Sequence, residues 1–377
     1  MVRISRRQIL VGAPLALLAA PAAGKRPQAV ADRWRELDAL AAAAVAVGGT
    51  PGLAVAVARN GEEAFSRGYG LADVEARRAV TPDTPFCIAS ITKQMIAALF
   101  LILQREGRLR LDDPMARWLP DFPYSRAISL RMLLNHTSGL ADYIDVPRER
   151  LAQAAARDYS DEEIVAQMAA VRPLLTAPPG TVWSYVNTGY VLLGVIAKRA
   201  ANLPIETLLA DRLFRPAGMS RTAWGPPSGS NGARGYTSSG GGWRRIPYVS
   251  PTYVGASGAI WSTVGDLCSW QTALHAGGLL RAAEITELLT PARVPNRPAP
   301  GPGESTYGLG IRSGQGLGRT VYWHSGNTAG FSADLRYYPA ERISIAMLAN
   351  TDAASRMAAF PRAAREAALR AIGGTTR

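Results

Sequence analysis

The sequence predicts an α+β fold: one antiparallel sheet built from both chain ends, flanked by helices, beside an all-helical lobe. Three observations carry this prediction. Strand-like runs occur near the N-terminus, helical patterns dominate after residue 90, and strand-like runs return near the C-terminus. The 377 residues suffice for a large core, and a composition that is 47% hydrophobic and 19% charged is typical of a globular protein.

The N-terminal elements begin with a helix over 29–47, which the glycine pair after it ends. A hairpin follows over 52–70, because two strand-like runs flank Asn60-Gly61, the strongest short hairpin signal. Nine consecutive apolar residues then predict a buried helix that ends at Gly107. Helical patterns continue from there to about residue 224.

The later part of the chain changes character. The stretches 226–244 and 296–305 are rich in Gly, Pro and Ser, and we expect both to be loops. A final helix closes the chain, and Pro361 is expected to bend or restart it. Three strand-like runs lie between the second loop and this helix, at 319–325, 334–339 and 342–350.

These elements predict a single two-lobed domain over residues 28–377. The sheet lobe comprises about 28–90 and 305–377, and the mainly helical lobe comprises about 91–300. Strands at both ends of the chain would therefore meet in one sheet.

The first 22 residues predict an export signal rather than part of the fold. An arginine pair precedes an apolar stretch, and Ala20-Pro21-Ala22 fits the small-x-small cleavage pattern. The apolar stretch is too short for a membrane span. The letters SRRQIL are similar to a twin-arginine signal, although an ordinary secretory signal containing Arg-Arg would read the same. We expect an exported protein, periplasmic or extracellular, without stable membrane insertion after cleavage.

Charge and cysteine content limit the partners. The formal charge is +13, and +10 without the three signal arginines, but the arginines are scattered, so nucleic acid is not expected. Contact with an anionic cell wall stays open. Cys87 and Cys268 neither require nor exclude a disulfide, and two buried thiols are the simpler reading. No phosphate-binding loop, dinucleotide pattern or metal-ligand spacing occurs, so we expect no cofactor and no metal.

The first candidate for chemistry is a serine three residues before a lysine. Only three of the 42 basic residues are lysines, and Lys93 follows Ser90 at the start of the apolar helix. Residues three apart share a helix face, so the amine can reach the hydroxyl. A serine nucleophile needs a neighbouring base, and a buried lysine can give up a proton where an arginine cannot. Alone, the pattern also fits a helix cap beside a surface lysine.

Two further groups lie later in the chain. In WSYVNTGY, Tyr185 and Asn187 are two residues apart, so in an extended segment both point into one cleft. A phenol can move protons, and an amide can hold a substrate carbonyl or the lysine. In WHSGN a strand ends in His324, Ser325 and Gly326. The glycine would let a substrate approach the backbone, and the next N–H can donate to an oxyanion.

In this order the three groups resemble those of the beta-lactamase-related serine hydrolases. That family includes class C beta-lactamases, D-Ala-D-Ala carboxypeptidases, D-aminopeptidases and lactamase-fold esterases. The resemblance runs from about Pro51 to Asp352, and it takes in the flanking segments 130–140, 178–196 and 258–270.

The resemblance implies a role for each matching residue. Ser90 would be the nucleophile, with Lys93 and Tyr185 sharing the acid and base work. The substrate would be bound by Asn187, His324, Ser325 and Gly326. The backbone N–H groups of Ser90 and Asn327 would form the oxyanion hole.

The third group departs from the class C pattern, which has a lysine where this chain has His324. Histidine, with an ordinary pKa of about 6.5, is mostly neutral above neutrality, so the fixed charge for a β-lactam carboxylate is missing. The resemblance then implies a serine hydrolase that acts on a D-amino-acid peptide, a peptidoglycan-type substrate or a small ester, and the signal-like N-terminus adds that it is exported. The alternatives are a class C-like beta-lactamase and a non-catalytic wall-binding or β-lactam-sensing protein.

Overall fold

The computed structural model describes residues 32–145, 152–153, 155–229, 231–296 and 305–373. Ten α-helices are assigned in these ranges: α1 Arg35–Ala46, α2 Thr92–Arg105, α3 Leu130–Leu134, α4 Asp161–Ala169, α5 Thr188–Ala201, α6 Ile205–Leu209, α7 Pro251–Val254, α8 Val264–His275, α9 Ala282–Leu289 and α10 Phe360–Ala371.

The same ranges contain thirteen strands. They are β1 Gly52–Arg59, β2 Glu62–Asp73, β3 Arg78–Ala79, β4 Phe86–Cys87, β5 Ala223–Trp224, β6 Gly235–Ser239, β7 Gly242–Ile246, β8 Ile260–Ser262, β9 Thr306–Tyr307, β10 Arg312–Gly316, β11 Arg319–Thr328, β12 Phe331–Tyr338 and β13 Ile343–Ala349.

Eight of these strands form one antiparallel sheet in the order β3-β2-β1-β13-β12-β11-β10-β9. Strand β1 pairs with β13, so Leu53 lies opposite Ala349. The two chain ends therefore meet at the centre of the sheet. The predicted α+β class, with a sheet built from both ends, is confirmed.

The sheet is covered on both faces, and β1 shows how its sequence allows this. Leu53, Val55 and Val57 face an apolar cluster shared with α1 and α10. The alanines between them face the main core, which includes α2, α5 and α8. Every residue of β1 except its last is buried. Small side chains on one face and branched ones on the other let helices pack on both sides.

Several local predictions are confirmed. The hairpin turns at Asn60-Gly61 between β1 and β2, and α2 ends two residues before Gly107, which has a φ of 72°. The three late strands are present as β11, β12 and β13. Pro361 lies in the first turn of α10, so the proline starts this helix rather than bending it.

Two predictions need correction. The stretch 226–244, expected to be a loop, contains most of the hairpin β6–β7. Its turn is Gly240-Gly241, both with positive φ, which glycine adopts without strain, so a glycine-rich composition here marks a turn. The lobe expected to be all helical also carries this hairpin and the short sheet β4-β8-β5.

The predicted signal peptide, residues 1–22, lies outside the described residues. Within the described ranges, every helix is too short or too polar to span a bilayer. No cluster of three or more acidic, histidine or cysteine side chains suited to a metal ion occurs among the described residues. Cys87 and Cys268 are free, buried thiols.

Candidate active site

Ser90 lies just before α2, a helix in which twelve of the fourteen residues are buried. A short 3-10 turn, Ala89–Ile91, leads directly into α2. Lys93 is one turn further along and is completely buried, and its Nζ lies 3.0 Å from the Ser90 Oγ. The predicted i, i+3 contact between hydroxyl and amine is therefore present. Burial of Lys93 excludes the alternative of a surface lysine.

Lys93 has two further partners, and together they constrain its protonation chemistry. Its Nζ lies 2.9 Å from the Asn187 Oδ1 and 2.8 Å from the carbonyl oxygen of Ser257. Both are acceptors. A neutral amine would donate its two hydrogens to these oxygens and present its lone pair to the Ser90 hydroxyl. The protonated amine would donate to all three. Both forms needed by a base that accepts and returns a proton thus fit the same geometry.

The Asn187 amide is held in one orientation by Asp142. The carboxylate Oδ2 of Asp142 accepts the Asn187 backbone N–H at 3.0 Å and its Nδ2–H at 2.9 Å. A carboxylate oxygen can only accept from these groups, so the amide oxygen must face Lys93. Burial raises the pKa of Asp142, and the hydrogen bonds from Asn187 oppose the rise.

Tyr185 is brought to the same amine by its loop. The Lys93 Nζ lies 5.1 Å from the centroid of its ring. The peptide on both sides of Tyr185 is fastened to His136, because Ser184 N–H donates to the His136 carbonyl at 3.0 Å and Val186 N–H donates to His136 Nδ1 at 3.3 Å. The rings of His136 and Tyr185 are 4.3 Å apart. The prediction that Tyr185 and Asn187 face one cleft agrees with this placement.

His324 is buried beneath this cleft, with 3% of its surface exposed. Its Nδ1 lies 2.6 Å from the Ser325 carbonyl, which can only accept, so Nδ1 carries the hydrogen. Its Nε2 therefore accepts from the Tyr307 hydroxyl at 3.1 Å. That hydroxyl in turn accepts from His136 Nε2–H at 3.1 Å. The chain from His136 through Tyr307 to His324 has one consistent direction, with both imidazoles neutral.

The electrostatics agree with these neutral forms. Burial, followed by the positive charge of Lys93, lowers the pKa of His324 to about 3. The same two causes lower the pKa of His136 well below its ordinary value. The Arg312 guanidinium also lies near these residues, with its Cζ 5.2 Å from the Tyr307 ring centroid, and its charge acts in the same direction. His324 itself carries no charge at neutral pH.

The rest of the third group packs against the turn that carries Ser90. A Cβ on Gly326 would lie 2.2 Å from the Ile88 carbonyl oxygen, so only glycine allows β11 to approach this turn. The close contact that requires glycine here is with the protein's own backbone at Ile88, and contact of Gly326 with a substrate stays a prediction. Ser325 and Asn327 are exposed. Their roles in binding the substrate and its oxyanion stay predictions.

Sequence reasoning missed three residues of this site, His136, Asp142 and Tyr307. His136 follows α3, and its side chain enters the cleft, where it contacts the Tyr307 hydroxyl. Asp142 was not singled out at all. Its contacts join positions 45 residues apart, which no local spacing reveals. The one available signal was its place directly after the family-like segment 130–140.

Comparison with known proteins agrees with this geometry. The beta-lactamase family model matches residues 37–369. The chain is 28% identical over 324 residues to penicillin-binding protein 4* of Bacillus subtilis (strain 168), covering 79% of this chain and 68% of that protein. It is 29% identical over 323 residues to the D-aminopeptidase of Brucella abortus (strain S19), covering 81% of this chain and 58% of that enzyme. This chain therefore spans under two thirds of the D-aminopeptidase.

Solved structures give the same result. The D-amino acid amidase from Ochrobactrum anthropi SV3, complexed with L-phenylalanine amide, superposes with a TM-score of 0.73 at 26% identity, over 91% of this chain and 98% of the amidase. The D-stereospecific amidohydrolase from a Streptomyces species gives 0.71 at 25% identity, over 91% and 99%. The match to the family covers most of the chain, and the fold agrees: this protein belongs to the beta-lactamase family.

Proposed function

We propose that this protein is an exported serine hydrolase that cleaves an amide or ester bond through an acyl-enzyme on Ser90. The observation that carries the proposal is the position of the Lys93 amine, which lies 3.0 Å from the Ser90 hydroxyl and is held by two carbonyl oxygens. The site needs no metal or cofactor to generate its nucleophile, because lysine can accept the serine proton.

In the first step Ser90 Oγ forms a bond to the substrate carbonyl carbon while its proton passes to Lys93 Nζ. The N–H groups of Ser90 and Asn327 stabilise the resulting oxyanion. The bond to the leaving group then breaks, and the leaving amine or alcohol takes a proton from the Lys93–Tyr185 pair. Water attacks the acyl-enzyme with the same pair as base, which releases the acid and restores Ser90.

We propose D-amino-acid derivatives or small esters as the substrate class. Relatives named D-aminopeptidase and D-amino acid amidase support the first. The neutral His324 supports substrates that need no cation at this position, and it argues against efficient β-lactam hydrolysis. Export rests on the signal-like residues 1–22 alone.

The test is covalent labelling followed by turnover. Wild-type protein is incubated with a fluorophosphonate and its mass measured, and D-aminoacyl amides, small esters and a chromogenic cephalosporin are assayed separately. We expect an adduct on Ser90 and turnover that falls at least about 10³-fold in Ser90→Ala. An adduct on another serine, or unchanged turnover in the variant, would refute the proposal. Labelling without turnover of any substrate would favour the non-catalytic alternative.

A further inference from the structure

The carboxylate of Asp142 is buried near Lys93 and makes no hydrogen bond to it. Asp142 is 8% exposed and lies in the loop that follows α3. It contacts Asn187 twice through one oxygen, and Asn187 contacts Lys93. The carboxylate is therefore connected to the Ser90 hydroxyl through an amide and an amine.

We propose that Asp142 is a positioning residue for the hydrolytic reaction, which fixes the Asn187 amide so that the lone pair of Lys93 points at Ser90. The inference deepens the proposed function and rests on it. The amide of an asparagine is nearly symmetric in shape, so packing alone does not decide which end faces Lys93. The Asp142 acceptor decides it, since only Nδ2–H can donate to it.

If the Asn187 amide were turned around, Lys93 would lose the arrangement that directs its lone pair at Ser90. With Nδ2–H facing the lysine, a neutral amine would use its lone pair to accept from Asn187 and would no longer direct it at Ser90. A protonated amine would face a donor and lose one of its three acceptors. Either way the amine would serve poorly as the base for Ser90, while the fold around it would be unchanged.

The hydroxyl of Thr188 makes it possible to distinguish two roles of Asp142: orienting the Asn187 amide, and holding the loop 141–143 against α5. The Thr188 hydroxyl donates to the Ala141 carbonyl at 2.7 Å and accepts the Tyr143 N–H at 2.9 Å. It joins the same two segments as Asp142 does, the loop at 141–143 and the start of α5. It does not touch the Asn187 amide. Thr188→Val is therefore a matched control, which loosens the same attachment and leaves the amide fixed.

The experiment compares five variants with the wild type: Asp142→Leu, Asp142→Asn, Asn187→Ala, Thr188→Val and the double variant Asp142→Leu/Asn187→Ala. The rate of Ser90 labelling by a fluorophosphonate is followed by intact mass, kcat and KM are measured with a nitrophenyl ester, and folding is checked by thermal melting. Asp142→Leu should lower labelling and kcat by about 10- to 100-fold with KM changed less than about threefold, the range found when groups that orient metal ligands are removed.

Asp142→Asn keeps an acceptor facing Asn187, so its labelling rate and kcat should stay within about fivefold of the wild-type values. The same is expected of Thr188→Val, even if its melting temperature falls. Adding Asp142→Leu to Asn187→Ala should cost less than about twofold more, because Asp142 acts only through this amide. If Asp142→Leu does not fold, Asp142→Ala takes its place in both measurements.

Three results would overturn the inference. One is an Asp142→Leu variant that is labelled at the wild-type rate, and another is a Thr188→Val variant that loses as much activity as Asp142→Leu. The third is a full additional loss in the double variant. A wild type that is not labelled at Ser90 would instead refute the proposed function, and the inference would fall with it.

Discussion

Replacing Lys93 by arginine tests whether the amine is a base or only a fixed charge. Lys93 is fully buried, and its Nζ lies 2.8–3.0 Å from three oxygens. A guanidinium would keep the positive charge and could still donate to the Asn187 and Ser257 oxygens. It cannot accept the serine proton, because arginine stays protonated in proteins. Charge and proton transfer are thereby separated at one position.

Lys93→Arg should change both the rate of acylation and the stability of the fold. Loss of a general base costs about 10²- to 10⁴-fold in rate, so we expect Ser90 acylation to fall by about 10³-fold. The longer side chain in a closed site should also destabilise the fold by about 1–3 kcal/mol. Lys93→Met, which is uncharged and of similar length, controls for the missing base without the added volume.

The assay is the rate of Ser90 labelling in the wild type and in both lysine variants, at temperatures below each melting point. The double variant Lys93→Arg/Ser90→Ala gives the background labelling. Both lysine variants should label at least about 10³-fold more slowly than the wild type. If Lys93→Arg labels within about tenfold of the wild type while Lys93→Met does not, Lys93 acts as a fixed charge and the proposed proton transfer is wrong.

Three more predictions follow from the third group and the histidine chain. His324→Lys should raise kcat/KM for a carboxylate-bearing cephalosporin relative to a neutral ester by about 2- to 30-fold, and His324→Gln should not; an unchanged ratio at pH 8 would contradict the charge argument. Gly326→Ala would place its Cβ 2.2 Å from the Ile88 oxygen and should lower kcat by about 10²-fold, whereas Gly242→Ala, with its nearest atom at 3.8 Å, should not; equal kinetics would show that β11 can move freely. The pKa of His324 is about 3 in the fold and ordinary in the unfolded chain, so protonation below pH 6.5 favours the unfolded chain. The free energy of unfolding should therefore be lower at pH 5 than above pH 6.5, by about 2 kcal/mol from His324. Urea unfolding at pH 5 to 7 measures this difference, and His324→Gln should make the free energy of unfolding depend less on pH.

The sequence predicted the parts of the site that depend on local spacing. Ser90 and Lys93 are three residues apart in the 3-10 turn and the start of α2. Tyr185 and Asn187 are two apart in the segment before α5. Each pair could therefore be placed from local spacing. What could not be predicted are contacts between distant segments. Asp142 reaches Asn187, and the His136 imidazole reaches Tyr307, only because α3, α5 and the sheet pack together.

The same limit applies to Gly326. Its residue type indicated a close approach of something to the backbone, and this was correct. Which partner approaches is decided by how β11 packs on the turn at Ile88, and the sequence alone could not separate a substrate from the protein itself. The β6–β7 hairpin was an error, since its Gly-Gly turn was visible and was given too little weight.

The pairing of β1 with β13 sets a condition on how this protein folds. Leu53 and Ala349 are almost 300 residues apart in the chain, yet they are neighbours at the centre of the sheet. Contacts so distant in sequence are slow to form, because closing so long a loop costs conformational entropy before the contact stabilises the fold. During synthesis Ser90 emerges long before β11, the strand that carries His324 and Ser325. The cleft therefore cannot exist in a partly made chain, because the strands that complete it are made last.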